Sequence, residues 1–114
     1  KTRIQFGKPI GSFQVIQHKF ADMKVMLDTA QTMVRRYAWL MENGQAERAD
    51  TAVLKYYVGE SFKTISDTCL QVLGGYGYCN EYPMQRFFRD SRLATIGGGT
   101  SEIQKNIIAA SLGL

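Results

Sequence analysis

The chain has 114 residues, 45% hydrophobic and 21% charged, with a formal net charge of +4. That is room for one domain around one core, with the composition of an ordinary folded protein. No apolar run approaches the roughly 18 residues that cross a bilayer, so no membrane span is expected.

The positive excess, with a pI near 9.2, favours anionic partners. Lys and Arg form no run, however, and pairs such as Arg35-Arg36 stand beside acids on helical faces. Without a basic stripe, nucleic acid is not expected as a partner. A phosphate-bearing cofactor or a coenzyme A ester suits the modest excess. Lys1-Thr2-Arg3-Ile4-Gln5-Phe6-Gly7 has no apolar signal core. No Met opens the chain, so it is expected to begin inside a longer one; a purification cut or a processing event would look the same. Cys69 and Cys79 are too few for a disulfide framework and read as free thiols in a reducing compartment.

Gly7-Lys8-Pro9-Ile10-Gly11 is rich in turn residues, and Ser12 is the expected N-cap of the first helix. Ile16, Phe20, Met23, Leu27, Ala30, Val34, Tyr37 and Met41 then recur in steps of four and three, an apolar helical stripe. This Met-rich stripe reads as core. Lys19, Asp22, Lys24, Asp28 and Arg35 fall opposite it. The helix is expected over Phe13–Glu42, with Asn43-Gly44 as its stop.

A second helix is expected from Arg48 to Leu73. Its apolar side holds Val53, Tyr57, Ile65, Cys69 and Val72, widened by Leu54, Val58 and Phe62. A face this broad predicts packing on more than one side, as in a bundle that also oligomerises. Gly74-Gly75-Tyr76-Gly77-Tyr78 ends it. Pro83 opens a third helix, to about Leu93. Thr95 to Gly99 form a glycine loop. Thr100 caps a fourth helix carrying Ile103, Ile107, Ile108 and Leu112. No strand alternation persists. The expected fold is all-α, an antiparallel helical bundle with short loops.

Gly74-Gly75-x-Gly77 is no dinucleotide fingerprint, because it follows a helix and no βαβ unit surrounds it. Together with Gly97-Gly98-Gly99 it places two glycine-rich segments at helix ends, where bare amides can meet phosphate or a developing oxyanion. Glycines at helix ends also serve simply as caps. Arg86, Arg89 and Asp90 read as an ion-pair cluster holding the third helix, and Glu60 as a partner of Lys55 or Lys63. His18 lies off the apolar stripe without a companion, so no metal site is indicated.

Several motifs occur in order. Arg3-x-Gln5-Phe6-Gly7-Lys8-Pro9-Ile10, Phe13-Gln14 and Ala21-Asp22-Met23 come first. Gln71-x-Leu73-Gly74-Gly75-Tyr76-Gly77-Tyr78, Glu81-Tyr82-Pro83, Arg86-x-x-Arg89-Asp90 and Gly99-Thr100-Ser101-Glu102-Ile103 follow. Over essentially the whole chain this resembles the C-terminal helical domain of the acyl-CoA dehydrogenases. The resemblance implies that residues 1–114 are that domain without most of its first helix. It implies an FAD enzyme performing α,β-dehydrogenation of an acyl-CoA thioester, with an electron-transfer flavoprotein as acceptor.

Residue by residue, Arg3 resembles the arginine at the FAD pyrophosphate of a neighbouring subunit, where a guanidinium fork suits phosphate oxygens. Gln14 matches a glutamine on the adenosine side. Gln71, Val72, Leu73, Gly74 and Gly75 match the segment meeting the same flavin across the interface. Thr100, Ser101 and Glu102 match the segment binding the subunit's own FAD, and Gly99 a backbone contact to acyl-CoA. One flavin touching two subunits implies a homo-oligomer, commonly a tetramer built as a dimer of dimers.

One position departs. Many members read Tyr-Glu-Gly-Thr where this chain reads Gly97-Gly98-Gly99-Thr100, and that Glu is the catalytic base. Gly98 carries no base, while its amide can still hold the thioester carbonyl. Glu102 is the nearest carboxylate, about one helical turn onward. The long-chain and isovaleryl branches resemble this chain in having glycine here, with the Glu supplied from the domain's first helix. The favoured expectation is therefore an active enzyme whose base lies upstream of Lys1. A non-catalytic subunit or scaffold, and a flavin-dependent oxidase, stand as alternatives. Glycine at 97 and 98 leaves room for longer or branched acyl groups. Cytoplasm and mitochondrial matrix both fit the location.

Overall fold

A computed structural model describes residues 1–114. The chain is all-α apart from a small opening hairpin. β1 (Ile4–Gln5) and β2 (Lys8–Pro9) pair antiparallel, Ile4 opposite Pro9 and Gln5 opposite Lys8. A 3-10 turn over Ile10–Ser12 leads into α1 (Gln14–Glu42). There follow α2 (Arg48–Leu73), α3 (Gly75–Tyr78), α4 (Met84–Ala94) and α5 (Ser101–Ser111).

The hairpin corrects the expectation of no strands. Phe6 at φ 51° and Gly7 at φ 77° form a reversal too tight to show any period in sequence. Ser12 is not the cap either. Phe13 takes that position with extended backbone and no side-chain bond, and the Ser12 hydroxyl donates instead to the Pro9 carbonyl at 2.7 Å.

α2 is the hub. α1 returns antiparallel to it after the Asn43-Gly44 turn, where Gly44 takes φ 65° and the Gln45 amide donates to the Leu40 carbonyl. Across the pair, Tyr37 and Thr51 share a hydroxyl bond of 2.7 Å, and Arg36 meets Asp50 at 2.9 Å. The Cys69 thiol lies 3.4 Å from Met23 Sδ, and burial pushes that thiol's pKa up. At the start of α2, Glu47 and Asp50 form a reciprocal capping box, satisfying donors that a helix start leaves free.

α4 and α5 pack on α2 as well. Small residues decide how closely. Ala52, Gly59 and Ser66 are buried along one line of α2, and Ser91 is buried on α4. A Cβ on Gly59 would stand 2.9 Å from the Ala94 carbonyl oxygen. Gly77 is equally tight, its hypothetical Cβ 2.7 Å from the Leu70 carbonyl. This folds α3 back against the end of α2.

The α1 stripe is displaced from its expected line. Met23 and Leu40 are buried, with Ile16, Met26, Ala30, Met33 and Tyr37 half-buried beside them. Phe20, Leu27, Val34 and Met41, expected in the core, are exposed in a row. Both rows satisfy the same spacing, and only the position of α2 distinguishes them. Extents of 55 × 27 × 24 Å reflect the two long helices, one edge of which no other element covers.

Substituting Gly59 by Ala forces α2 and α4 apart and is expected to cost about 1–3 kcal/mol, as overpacking typically does. Gly11→Ala, which meets nothing within 4 Å, serves as the control and should leave the urea midpoint unchanged or slightly raised.

Candidate functional site

The glycine loop hangs between α4 and α5. Thr95, Ile96 and Gly97 amides close the end of α4 on the Arg92 and Leu93 carbonyls, and the Ser101 amide returns to the Thr95 carbonyl at 3.1 Å. Gly98 and Gly99 take φ 65° and 91°. At Gly99 glycine is required twice, since a Cβ would also stand 2.7 Å from Gln104 Nε2. Gly98 opens onto free space, with nothing within 4 Å of a hypothetical Cβ.

Thr100 caps α5 as expected, its hydroxyl accepting from the Ile103 amide at 3.4 Å. The Gly98, Gly99 and Thr100 amides donate to no backbone carbonyl of the chain. They stand at the N-terminus of α5, where the helix dipole also favours negative charge. The loop carbonyls are held. Lys55 Nζ donates to the Gly99 oxygen at 2.6 Å, and Gln104 Nε2 donates to the Gly98 and Gly99 oxygens at 3.2 Å each.

Carboxylates near the loop are committed elsewhere. Glu60 pairs with Lys63 at 2.6 Å and accepts the Ser101 hydroxyl at 2.7 Å. These two bonds, the Lys63 one foremost, hold its pKa below the ordinary range. The Glu60–Lys63 alternative is thus the one adopted, and Lys55 serves the loop. Ser101, buried, is spent on Glu60. Glu102 is exposed. Its own backbone amide, then the Thr100 hydroxyl, lower its pKa, which makes it a weaker base.

The remaining expected residues gather at the other end of α2. The Arg3 guanidinium stands 5.9 Å from the centre of the Tyr76 ring. Gln14 is exposed on the first turn of α1, and Gln71 on the last turn of α2. Leu73 is 43% exposed and Val72 half-buried. Gly74 turns the chain at φ 60° and Gly75 is exposed. The chain thus brings Arg3 to Tyr76, the residue that follows the Gly74–Gly75 turn, and Thr100, Ser101 and Glu102 follow Gly98–Gly99 directly. The two groups stay apart. From Glu60 to Gln71 is about three turns, ~16 Å of α2.

Arg86, Arg89 and Asp90 form no ion-pair cluster. Arg89 donates to Gln85 at 2.7 Å, Arg86 lies over Phe87, and Asp90 joins no salt bridge. Gln85, one helical turn before Arg89, takes its guanidinium, and Arg86 turns to the Phe87 ring although Asp90 stands at the same four-residue spacing. His18 is exposed, and no three His, Cys, Asp or Glu converge. Lys55 and Gln104 are the functional candidates that the sequence reading missed. Lys55 lies 44 positions from the carbonyl it grips, with no local signal.

Comparison with known proteins decides the family. The model of the acyl-CoA dehydrogenase C-terminal domain matches residues 1–113. The chain belongs to the acyl-CoA dehydrogenase family, as its C-terminal domain. It is 49% identical over 107 residues to benzylmalonyl-CoA dehydrogenase of Aromatoleum aromaticum, covering 94% of this chain and 28% of that protein. It is 43% identical over 112 residues to the mitochondrial isovaleryl-CoA dehydrogenase of Oryza sativa subsp. japonica, covering 98% and 27%. An acyl-CoA dehydrogenase structure from Geobacillus kaustophilus superposes with a TM-score of 0.96 at 33% identity, over 100% of this chain and 30% of that one. The chain thus spans under a third of the length of these relatives.

The lowered pKa of Glu60 sets a pH dependence. Its bonds to Lys63 and Ser101 add stability near neutral pH, and this contribution is lost as pH falls through the depressed folded-state pKa. Glu60→Gln should therefore lower the urea midpoint at neutral pH, with the gap to the parent shrinking in acid. A gap that stays constant with pH contradicts this assignment.

Proposed function

We propose that the chain is the C-terminal part of an FAD-dependent acyl-CoA dehydrogenase that removes hydrogen across the α and β carbons of an acyl-CoA thioester. Its catalytic glutamate would lie upstream of Lys1. The observation that carries this reading is the glycine loop. It offers unpartnered amides at the start of α5, an open and side-chain-free Gly98, and a nearest helix carboxylate whose pKa is lowered.

The two groups fit an anionic dinucleotide. Arg3 over Tyr76, next in sequence to the exposed Gly74–Gly75 turn, supplies a cation near bare backbone, and Gln14, Gln71, Val72 and Leu73 would serve with it. In this reading that end meets the flavin of a neighbouring subunit. Thr100, Ser101 and Glu102 serve the subunit's own flavin. The separation of the two groups along α2 supports an assembly in which one flavin draws on two chains, as in a dimer of dimers. The exposed row of Phe20, Leu27, Val34 and Met41 supports an additional covering helix.

Bound FAD would supply the hydride acceptor. The chain's own part is positional. The Gly98 amide would hold the thioester carbonyl, favouring loss of the α-proton by stabilising the charge that develops on oxygen. Gly99 would contact the acyl-CoA through its backbone. The lowered pKa of Glu102 disfavours it as proton acceptor, which supports the reading that the base comes from elsewhere. The absence of side chains at 97 and 98 leaves space for longer or branched acyl groups. Electrons would pass to an electron-transfer flavoprotein.

The test uses the full-length protein. Anaerobic addition of acyl-CoA esters of graded length and branching should bleach the flavin, and turnover should depend on an electron-transfer flavoprotein. Changing the glutamate of the preceding helix to Gln should cut turnover by about 1,000-fold or more while FAD stays bound. Unchanged turnover in that variant contradicts the relocated base. Absence of bleaching with every ester points to a non-catalytic subunit, and oxygen consumption without the flavoprotein points to an oxidase.

A further inference from the structure

Lys55 is a half-buried lysine that joins no salt bridge. Its neighbour on α2, Glu60, is taken by Lys63 and Ser101. The Lys55 ammonium is instead directed to a backbone carbonyl, that of Gly99, at 2.6 Å. Gln104, only 6% exposed, spends its amide on the same oxygen and on that of Gly98, at 3.2 Å each. Two long side chains, from α2 and α5, thus grip two consecutive peptide units in a loop with no carboxylate to attract them.

The geometry has a chemical consequence. Every peptide bond in the chain is trans, so each N–H points opposite its own unit's carbonyl. The carbonyl of the 98–99 unit faces Gln104, which turns the Gly99 N–H away from it. The carbonyl of the 99–100 unit faces Lys55 and Gln104, which turns the Thr100 N–H away from both. Glycine's freedom at φ 65° and 91° would otherwise let these units rotate. A charge-assisted bond to the carbonyl also polarises its peptide unit and strengthens the opposite N–H as a donor.

We infer that Lys55 and Gln104 are positioning residues that clamp the 98–99 and 99–100 peptide units, orienting the Gly99 and Thr100 amides toward the ligand and fixing the Gly98 amide only through the adjoining Gly98 carbonyl, without touching the reacting atoms themselves. The inference rests on the proposed dehydrogenase reading for what the amides hold, but the clamp itself stands on the three bonds. A donor displaced by even about 1 Å can lose much of its catalytic value, so the clamp matters to the rate and less to ground-state binding.

The test compares Lys55→Met, Lys55→Arg and Gln104→Met in the full-length holoenzyme. Met keeps the length of each side chain and removes its donor; Arg keeps the charge. The first readout is hydrogen exchange over residues 96–104, where the Ser101 amide bond to Thr95 closes the loop. Both Met variants should speed exchange there by about 10-fold or more, with the rest of the chain unchanged. The second readout is turnover with an acyl-CoA that bleaches the parent. Lys55→Met should lower kcat about 10–100-fold with KM changed little and FAD content unchanged, and Lys55→Arg should recover most of it.

Unchanged loop exchange in both Met variants overturns the clamp. Faster exchange with unchanged kcat overturns the positioning role, and loss of kcat only in proportion to lost FAD does the same. A parent that bleaches with no acyl-CoA sinks the dehydrogenase reading instead, and the exchange result then decides the clamp alone.

Discussion

The close approach of α2 to α4 at Gly59 governs most of this structure. With the Ala94 carbonyl where a side chain would begin, α4 can end directly against α2. The next residue, Thr95, is buried and accepts the Ser101 amide. The glycine loop is therefore anchored at both feet before any ligand arrives. α5 then runs back along α2, bringing Ser101 to Glu60 and Lys105 over Tyr56. A bulkier residue at 59 would displace the loop and everything aimed by it. The smallness of Gly59 and Ser66, and of Ser91 and Ala94 opposite, is a positional requirement more than a gain in buried area.

The same arrangement leaves α1 packed on one side only. Of the chain's hydrophobic residues, only Met23, Leu40 and Ala52 are buried. Phe20, Leu27, Val34 and Met41 form an exposed apolar row along α1, with Trp39 also exposed. A row of that extent marks a surface built to be covered. The core of α2, α4 and α5 is better closed, and it is the part that carries the loop. The better-closed side of α2 is thus also the side that holds the glycine loop.

Helices were the most legible part of the sequence. The second one is found with the bounds its apolar spacing predicts, Arg48 to Leu73, because Asp50 and Gly74 mark its ends by local chemistry. Thr100 is legible for the same reason. What failed was of two kinds: features that depend on a distant partner, and local ones too short or too evenly matched to leave a pattern. The stripe on α1 had two rows that fit equally, and sequence spacing does not say which faces α2. The hairpin at Ile4–Pro9 is too short to show alternation. The expected cluster of Arg86, Arg89 and Asp90 dissolved into contacts with Gln85 and Phe87. Lys55 read as one more surface charge near Glu60, and its reach to Gly99 is purely tertiary. Membership of the acyl-CoA dehydrogenase family was legible through ordered motifs.

The central claim is that the Gly98–Gly99–Thr100 loop holds the substrate through backbone amides while the base comes from outside these residues. A crystal structure of the full-length protein with FAD and a non-reacting acyl-CoA analogue tests it most directly. The account predicts the Gly98 amide about 2.7–3.1 Å from the thioester oxygen. It also predicts a glutamate from the preceding helix facing the α carbon, with Glu102 turned away. A thioester oxygen beyond hydrogen-bond reach of the loop, or Glu102 at the α carbon, would contradict it.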